Sequence, residues 1–226
     1  ALASSAKADK LDTYVSAVEN TGGWYLTESA VVSGTDVKAG VVYGLYNVPH
    51  TQLEAILRNY DRYGELIHFI SKSSIIKSES QTVKQLRMRA KILKGAIKLK
   101  ARLKATETRP DDRTVVFDLK KQKGNLEALN ARFTVRKLSA NRSLVRIELL
   151  VDPDVWYVRD RKLSQYNHVN ARRIARALKK KAGAVAANTS PVPAKLVPAT
   201  TAKAETEQEG RSVTSPDTKG AQNNIA

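Results

Sequence analysis

Lysine and arginine alternate with apolar residues along two consecutive segments, Lys84–Ile92 and Ile97–Ala105, and no acidic residue occurs from 84 to 104. Residues at every second position of a β-strand lie on the same face. We therefore predict one outward face that carries Arg87, Arg89, Lys91, Lys98, Lys100, Arg102 and Lys104. Like charges on adjacent strands repel each other, which favours a face that binds an anionic surface. The alternative is a solvated sheet face whose charges prevent edge pairing.

Polar side chains interrupt the apolar face of a long helix that we predict from Arg159 to Lys181. Asn170 lies in the middle of that face, where leucine would be expected, and Asn167 and Tyr166 lie beside it. A buried amide needs a hydrogen-bond partner, which can be the polar end of a ligand, water or a backbone group. Asn170 and Tyr166 are therefore candidates for ligand contacts, with structural hydrogen bonds as the alternative.

The sequence contains little that points to metal, covalent or redox chemistry. The absence of cysteine excludes disulfides, zinc–thiolate sites and cysteine nucleophiles. The three histidines, His50, His68 and His168, have no metal-ligand spacing, and the common nucleophile, phosphate-loop and dinucleotide motifs do not occur. We predict no cofactor, no metal and no catalytic residue, so a binding protein is favoured over an enzyme.

Strands and helices that position these residues follow from hydrophobic spacing. Val41–Val48 is predicted as a strand, Pro49 begins a short helix, and Glu65–Ile70 is predicted as a second helical segment. After Lys84–Ile92 and Ile97–Ala105, three further alternating segments are joined by short turns, which makes neighbouring strands antiparallel. The long helix must then pack its apolar face on the sheet.

Composition predicts one folded domain with two flanking segments. The predicted parts are an N-terminal lead-in over residues 1–37, a ligand-binding domain over 38–182, and a disordered Ala/Thr/Pro-rich tail over 183–226. The net charge is +17, and residues 41–182 hold 32 basic and 13 acidic residues. The chain begins at Ala1 without a methionine, which suggests a processed, exported protein in the periplasm or outside the cell. A cytoplasmic location is the alternative.

Several residues resemble the START-like (SRPBCC) superfamily, which includes polyketide cyclases/dehydrases, coenzyme-Q-binding proteins and START lipid carriers. The segment Val42–His50 is similar to that family's opening strand, the helix with Leu53 and Ile56–Leu57 to its helix after a proline, and Asn59–Tyr63 to its aspartate–tyrosine turn. The resemblance covers about residues 38–182. It implies an α+β helix-grip fold, in which a curved antiparallel sheet wraps around a long C-terminal helix and two short helices follow the first strand.

The resemblance also implies an elongated apolar cavity between sheet and helix. The residues predicted to line it are Leu86, Met88, Ala90, Ile92, Leu99, Ala101, Leu103, Phe117, Phe133, Ile147, Tyr166 and Asn170. The same alternation would also produce an ordinary filled core. Two alanines among the inward positions favour open space.

Three functions are compatible with these features. The leading hypothesis is non-catalytic binding or transport of a lipid, quinone or similar hydrophobic small molecule, with the basic face docking on anionic membrane. The alternative is a nucleic-acid or ribosome-associated module, because the same cations suit phosphate, although few aromatic residues are available for base stacking. A cyclase or dehydratase would need an inward acid and base, and the predicted inward positions are almost entirely apolar. The oligomeric state is left open.

Overall fold

One open antiparallel sheet of eight strands organises the molecule, whose computed structural model describes residues 2–153, 155 and 157–189. The strands lie in the order β1-β2-β8-β7-β6-β5-β4-β3. Their bounds are β1 Tyr25–Ala30, β2 Ala39–Tyr46, β3 Ile70–Ser78, β4 Val83–Ile92, β5 Ile97–Asp111, β6 Thr114–Gly124, β7 Ala128–Ser139 and β8 Arg142–Asp152. Short turns join β3 through β8 in sequence, and β4 through β8 form the predicted meander.

A long C-terminal helix packs on the sheet, and the helix-grip fold class predicted from the sequence is confirmed. The helices are α1 Leu2–Asn20, α2 His50–Arg58, α3 Tyr63–Leu66 and α4 Asp160–Thr189, with a 3₁₀ turn at Tyr60–Arg62. Helix α4 lies against β2 and β8. At Gly40 the two backbones come so close that a Cβ atom would lie 2.5 Å from the carbonyl oxygen of Asn167, so the crossing requires glycine there.

The apolar face of the sheet and the inner faces of α2, α3 and α4 form one core. Alternation along the strands produces it: in β5 the residues from Ile97 to Ala105 alternate between buried and exposed positions. Fully buried aromatic rings at Tyr46, Tyr63, Phe117 and Phe133 fill its centre. The predicted inward positions of β4 and β5 all belong to this core.

Three segments differ from the sequence-based expectation. Residues 1–37, expected as a lead-in, contain helix α1 and the edge strand β1, which pairs with β2, so the sheet begins before residue 38. Glu65–Ile70 was expected to be helical, but α3 ends at Leu66 and β3 begins at Ile70. Helix α4 continues to Thr189, seven residues past the predicted domain boundary, and the remainder of the predicted tail lies outside the described residues.

Helix α1 covers only one half of the outer sheet face. Val18 of α1 packs with Val41, Tyr43 and Leu144 in a second apolar cluster, and the rings of Tyr14 and Tyr43 stack with centroids 3.6 Å apart. The carboxylate of Asp12 accepts two 2.8 Å hydrogen bonds from the guanidinium of Arg136 on β7. Helix α1 thus contacts β1, β2, β8 and β7, at the opposite end of the strand order from β3, β4 and β5.

Candidate functional site

The twelve residues predicted to line a cavity come together inside the molecule. Ten are buried in the main core: Leu86, Met88, Ala90, Ile92, Leu99, Ala101, Leu103, Phe117, Phe133 and Ile147. Asn170 is fully buried, and the half-buried Tyr166 packs against the same core. Sequence alternation therefore identified the inner face correctly, and contact of these residues with a ligand stays a prediction.

Asn170 presents a polar atom without a partner to this interior. Its amide nitrogen donates to the carbonyl oxygen of Tyr166, one turn earlier in α4, at 2.8 Å. Its Oδ1 atom is buried and accepts no hydrogen bond from any described residue. Leaving a buried acceptor unsatisfied costs about 1–3 kcal/mol, so this atom destabilises the fold as long as it has no partner.

The hydroxyl of Ser73 on β3 is a second buried polar atom without a partner among the described residues. Ser73 lies directly opposite Met88 on β4, so its side chain points to the inner face. The sequence-based prediction missed this residue, because β3 itself was not predicted. In the sequence, Ser73 would be recognisable only as a serine at an inner strand position that is otherwise apolar.

Tyr166 adds a hydroxyl to the same side of α4. Its ring lies 6.2 Å from the ring of Phe69, which precedes β3. Burial raises the pKa of Tyr166 to about 12, so the hydroxyl stays protonated at neutral pH and can donate a hydrogen bond. Tyr166 and Asn170 thus offer a donor and an acceptor beside an apolar interior.

Asn167 has a structural role that the sequence did not reveal. Its Oδ1 accepts from the backbone N–H of Val151, and its Nδ2 donates to the carbonyl oxygens of Lys38 and Val151 at 3.2 and 3.3 Å. These bonds attach α4 to the end of β8 and to the residue before β2. Asn167 and Asn170 are both fully buried, but of these two only Asn167 has its amide satisfied by other elements.

Glu54 on α2 is a buried carboxylate that sequence analysis also missed. Only 2% of the residue is exposed. Its Oε2 atom lies 2.9 Å from the guanidinium of Arg58 and 2.5 Å from that of Arg109 on β5, and Arg58 also binds Glu107. Because two guanidinium groups already engage it, this carboxylate connects α2 to β5 and is not free to act as a base.

The seven predicted outward cations are all exposed, and the strand register places them in rows. Across β4 and β5, Arg87 lies opposite Arg102, Arg89 opposite Lys100 and Lys91 opposite Lys98. Lys104 lies 3.7 Å from the carboxylate of Glu79. In the part of the chain that the structure describes, none of the other six lies within 4.0 Å of a carboxylate. We refer to the outer side of β4 and β5 that carries these seven side chains, together with the adjoining end of β6, as the basic face.

A pocket of about 500 Å³ opens at the other end of the sheet. It lies between the turn that follows α1, the end of β2 and the C-terminal part of α4. Trp24 and Tyr46 form its apolar floor, and Lys179 places its ammonium 4.2 Å from the centre of the Trp24 ring. Arg142 at the rim is paired with Glu19. None of the predicted site residues lies in this pocket.

The three histidines lie on different elements, and the Nδ1 atoms of His50 and His168 are buried without a hydrogen-bond partner among the described residues. His68 lies 3.1 Å from the guanidinium of Arg173, and burial together with that positive charge lowers its pKa. No group of three metal-ligating side chains occurs within the described ranges. Within the same ranges, no helix is both long and apolar enough to cross a bilayer.

Comparison with known proteins identifies the fold. No protein-family model matches the chain, and no curated protein matches it. Human StAR-related lipid transfer protein 5 superposes with a TM-score of 0.63 at 12% identity, over 82% of this chain and 97% of that one. A STAR-related lipid transfer protein fragment from Xanthomonas axonopodis gives 0.61 at 10% identity, over 70% and 93%. The chain has the START-like fold.

A START superfamily protein from Mycobacterium smegmatis matches more loosely, with a TM-score of 0.52 at 13% identity over 72% of this chain and 99% of that one. These solved structures are thus covered almost completely, although few residues are shared. At such low identity the likeness establishes only the architecture of the chain.

Proposed function

We propose that this START-like chain binds a hydrophobic small molecule, such as a lipid or quinone, between its sheet and α4, and carries it without catalysing a reaction. The observation that carries the proposal is the buried, unpartnered Oδ1 atom of Asn170. An apolar ligand with a hydroxyl or amide donor would satisfy that atom while its body contacts the apolar inner face. The unpartnered hydroxyl of Ser73 supports the same ligand class.

Two further observations support a carrier. Solved structures with the same fold include proteins described as lipid transfer proteins. Three titratable groups that the structure describes in the interior are already engaged: Glu54 is bound by Arg58 and Arg109, and the hydroxyls of Tyr46 and Tyr63 donate to backbone carbonyls at 3.0 and 2.7 Å. General acid–base catalysis needs a free acid–base pair within reach of a substrate.

We also propose that the basic face docks the chain on anionic membrane. Each lysine or arginine near such a surface contributes about 1 kcal/mol, so several together give reversible attachment. Ile76 on the neighbouring strand β3 is an exposed apolar side chain, which suits an interface with lipid. Nucleic acid is the second candidate, because phosphate contacts use the same cations.

Native mass spectrometry of the purified full chain tests the ligand proposal. We expect an adduct of lipid or quinone mass that is released on denaturation. Ala101→Trp should displace it, since Ala101 lies on the inner face between Met88 and Gly124. Ala96→Trp on the exposed β4–β5 turn is the matched control and should retain the adduct.

A filled core would give a different result. Inserting an indole at Ala101 would then overpack the interior and destabilise the protein by about 1–3 kcal/mol or more. Such destabilisation, together with a wild-type chain that carries no adduct and takes up no fluorescent lipid, would rule out the carrier.

A further inference from the structure

Five cations surround a pocket of about 350 Å³ on the basic face. Its lining comprises Arg87 and Arg89 from β4, Lys100 and Arg102 from β5 and Lys123 from β6, together with Met88, Ala101 and Gly124. The register places Arg87, Arg102 and Lys123 in one row across three strands, and Arg89 and Lys100 in the next. All five side chains are exposed, and within the described residues none is paired with a carboxylate.

The arrangement concentrates charge in a small area. Adjacent strands lie about 4.8 Å apart, and alternate residues of a strand about 6.7 Å apart, so the five side chains start from a patch of roughly 10 by 7 Å. Directly opposed like charges destabilise a sheet. The charges at this position are therefore costly to the folded chain unless an anion occupies the pocket.

The backbone beneath the pocket is fixed. Gly124 adopts a φ of +147°, and a Cβ atom there would lie 2.3 Å from the carbonyl oxygen of Lys100, so only glycine lets the end of β6 lie this close to β5. The following residue, Asn125, accepts from the N–H of Lys100 at 2.7 Å and donates through Nδ2 to the carbonyl oxygen of Lys98 at 3.0 Å. These contacts hold the row that contains Lys123 against the rows of β4 and β5.

We propose that this pocket binds the phosphorylated headgroup of a membrane lipid that carries two or more phosphate groups. A phosphate monoester carries a charge of about −1.5 to −2 at neutral pH, so five unpaired cations match two to three such groups. The arginines offer planar, bidentate donors to phosphate oxygens, and the lysines add point charges. The inference rests on the proposed docking face and specifies the lipid that this face selects.

The test compares vesicles that contain phosphatidylinositol bisphosphate with vesicles that contain phosphatidylserine, matched for total headgroup charge. The full chain should prefer the bisphosphate vesicles. Arg89→Gln with Lys100→Gln removes two pocket cations, and Lys91→Gln with Lys98→Gln removes two cations of the same face outside the pocket lining. On phosphatidylserine both double variants should lose affinity equally, by up to about 30-fold.

The two variants should differ in their preference for the bisphosphate lipid. The Arg89 and Lys100 variant should lose that preference about tenfold or more, and the Lys91 and Lys98 variant should keep it. Asn125→Ala changes no charge but removes the two hydrogen bonds that hold Asn125 to β5. It should lower the preference for the bisphosphate lipid and leave binding to phosphatidylserine unchanged. Thermal melts should show both double variants folded, because the replaced cations are exposed and unpaired.

If both double variants lose affinity equally on both kinds of vesicle, the proposal of a phosphate pocket is refuted and the proposal of a docking face is retained. A wild-type chain that binds neither vesicle would overturn both proposals. Binding of soluble inositol bisphosphate without any vesicle binding would overturn the membrane lipid as its source. Binding of duplex DNA with higher affinity than either vesicle, weakened equally by both double variants, would overturn it in favour of nucleic acid.

Discussion

Replacing the two buried asparagines of α4 by leucine should have opposite effects on stability. Asn167→Leu removes three hydrogen bonds to backbone groups of Lys38 and Val151. It leaves one N–H and two carbonyl groups without those partners. At about 1–3 kcal/mol for each group that stays unsatisfied, and with some compensation from the added apolar surface, we expect a loss of roughly 2–4 kcal/mol.

Asn170→Leu should leave the free energy of unfolding unchanged or raise it. The bond that it removes goes to the carbonyl oxygen of Tyr166 within the same helix. The replacement also eliminates the unsatisfied Oδ1 atom, whose burial costs about 1–3 kcal/mol. Leucine is also a better helix former than asparagine. We therefore expect a net change between zero and about 2 kcal/mol of stabilisation.

Chemical denaturation of ligand-free protein measures both effects, and a titration with a fluorescent lipid measures binding. Asn170→Leu should weaken binding by about 2- to 15-fold, as expected for one neutral hydrogen bond. Asn167→Leu should weaken it only to the extent that the protein unfolds. If Asn170→Leu destabilises the ligand-free protein as much as Asn167→Leu does, then Oδ1 has a structural partner and the reasoning about the ligand is refuted.

Two further predictions concern how the helices attach to the sheet. Gly40→Ala would place its Cβ 2.5 Å from the carbonyl oxygen of Asn167 and should lower the free energy of unfolding by about 2–4 kcal/mol. Gly183→Ala has open space around it in α4 and should raise the free energy of unfolding by up to about 1 kcal/mol. Urea denaturation measures both changes. The hydrogen bond from Arg136 lowers the pKa of Asp12 below its ordinary value of 3.8, so this contact stabilises the fold above that value and is lost as the pH falls through the lowered pKa. Asp12→Asn should therefore flatten the acid limb of a plot of melting temperature against pH, and an unchanged limb would show that α1 does not depend on this carboxylate.

The central strands could be predicted from the sequence because one pattern governs them. From Leu86 to Ile92 in β4 and from Ile97 to Ala105 in β5 every second residue is buried, so alternation of apolar residues with cations was sufficient. The edge strands could not be predicted in this way. β3 pairs on one side only and contains two register shifts, and its residues Lys77 and Ser78 are exposed, so its sequence carries no regular period. β1 is likewise an edge strand. Five of its six residues are half-buried and one is exposed, so burial does not alternate along it.

The site was predictable only where a single residue departs from a local pattern. Asn170 was identified because one amide replaces an expected leucine within a helical face. The attachment of Asn167 to β8 and the burial of Glu54 depend on partners far along the chain, since Arg109 lies 55 residues from Glu54. Periodicity assigns a side chain to a face, but it does not contain the distances that decide which buried polar atoms find partners.

The alternation that defines β4 and β5 also separates the two proposals. Ala101 points inward and its neighbours Lys100 and Arg102 point outward on the same strand, so the proposed ligand site and the cations of the proposed phosphate pocket lie on opposite faces of one strand, although Met88 and Ala101 border both. Neutral replacements on the outer face leave the inner packing intact, and Ala101→Trp leaves the outer charge intact. A variant that retains the internal lipid but loses the vesicle preference would assign the preference to the outer face. A variant that loses the internal lipid but keeps the vesicle preference would assign ligand binding to the inner face. If Arg89→Gln with Lys100→Gln also released the internal ligand, the two faces would be coupled through the strands, and the docking face would regulate the ligand site.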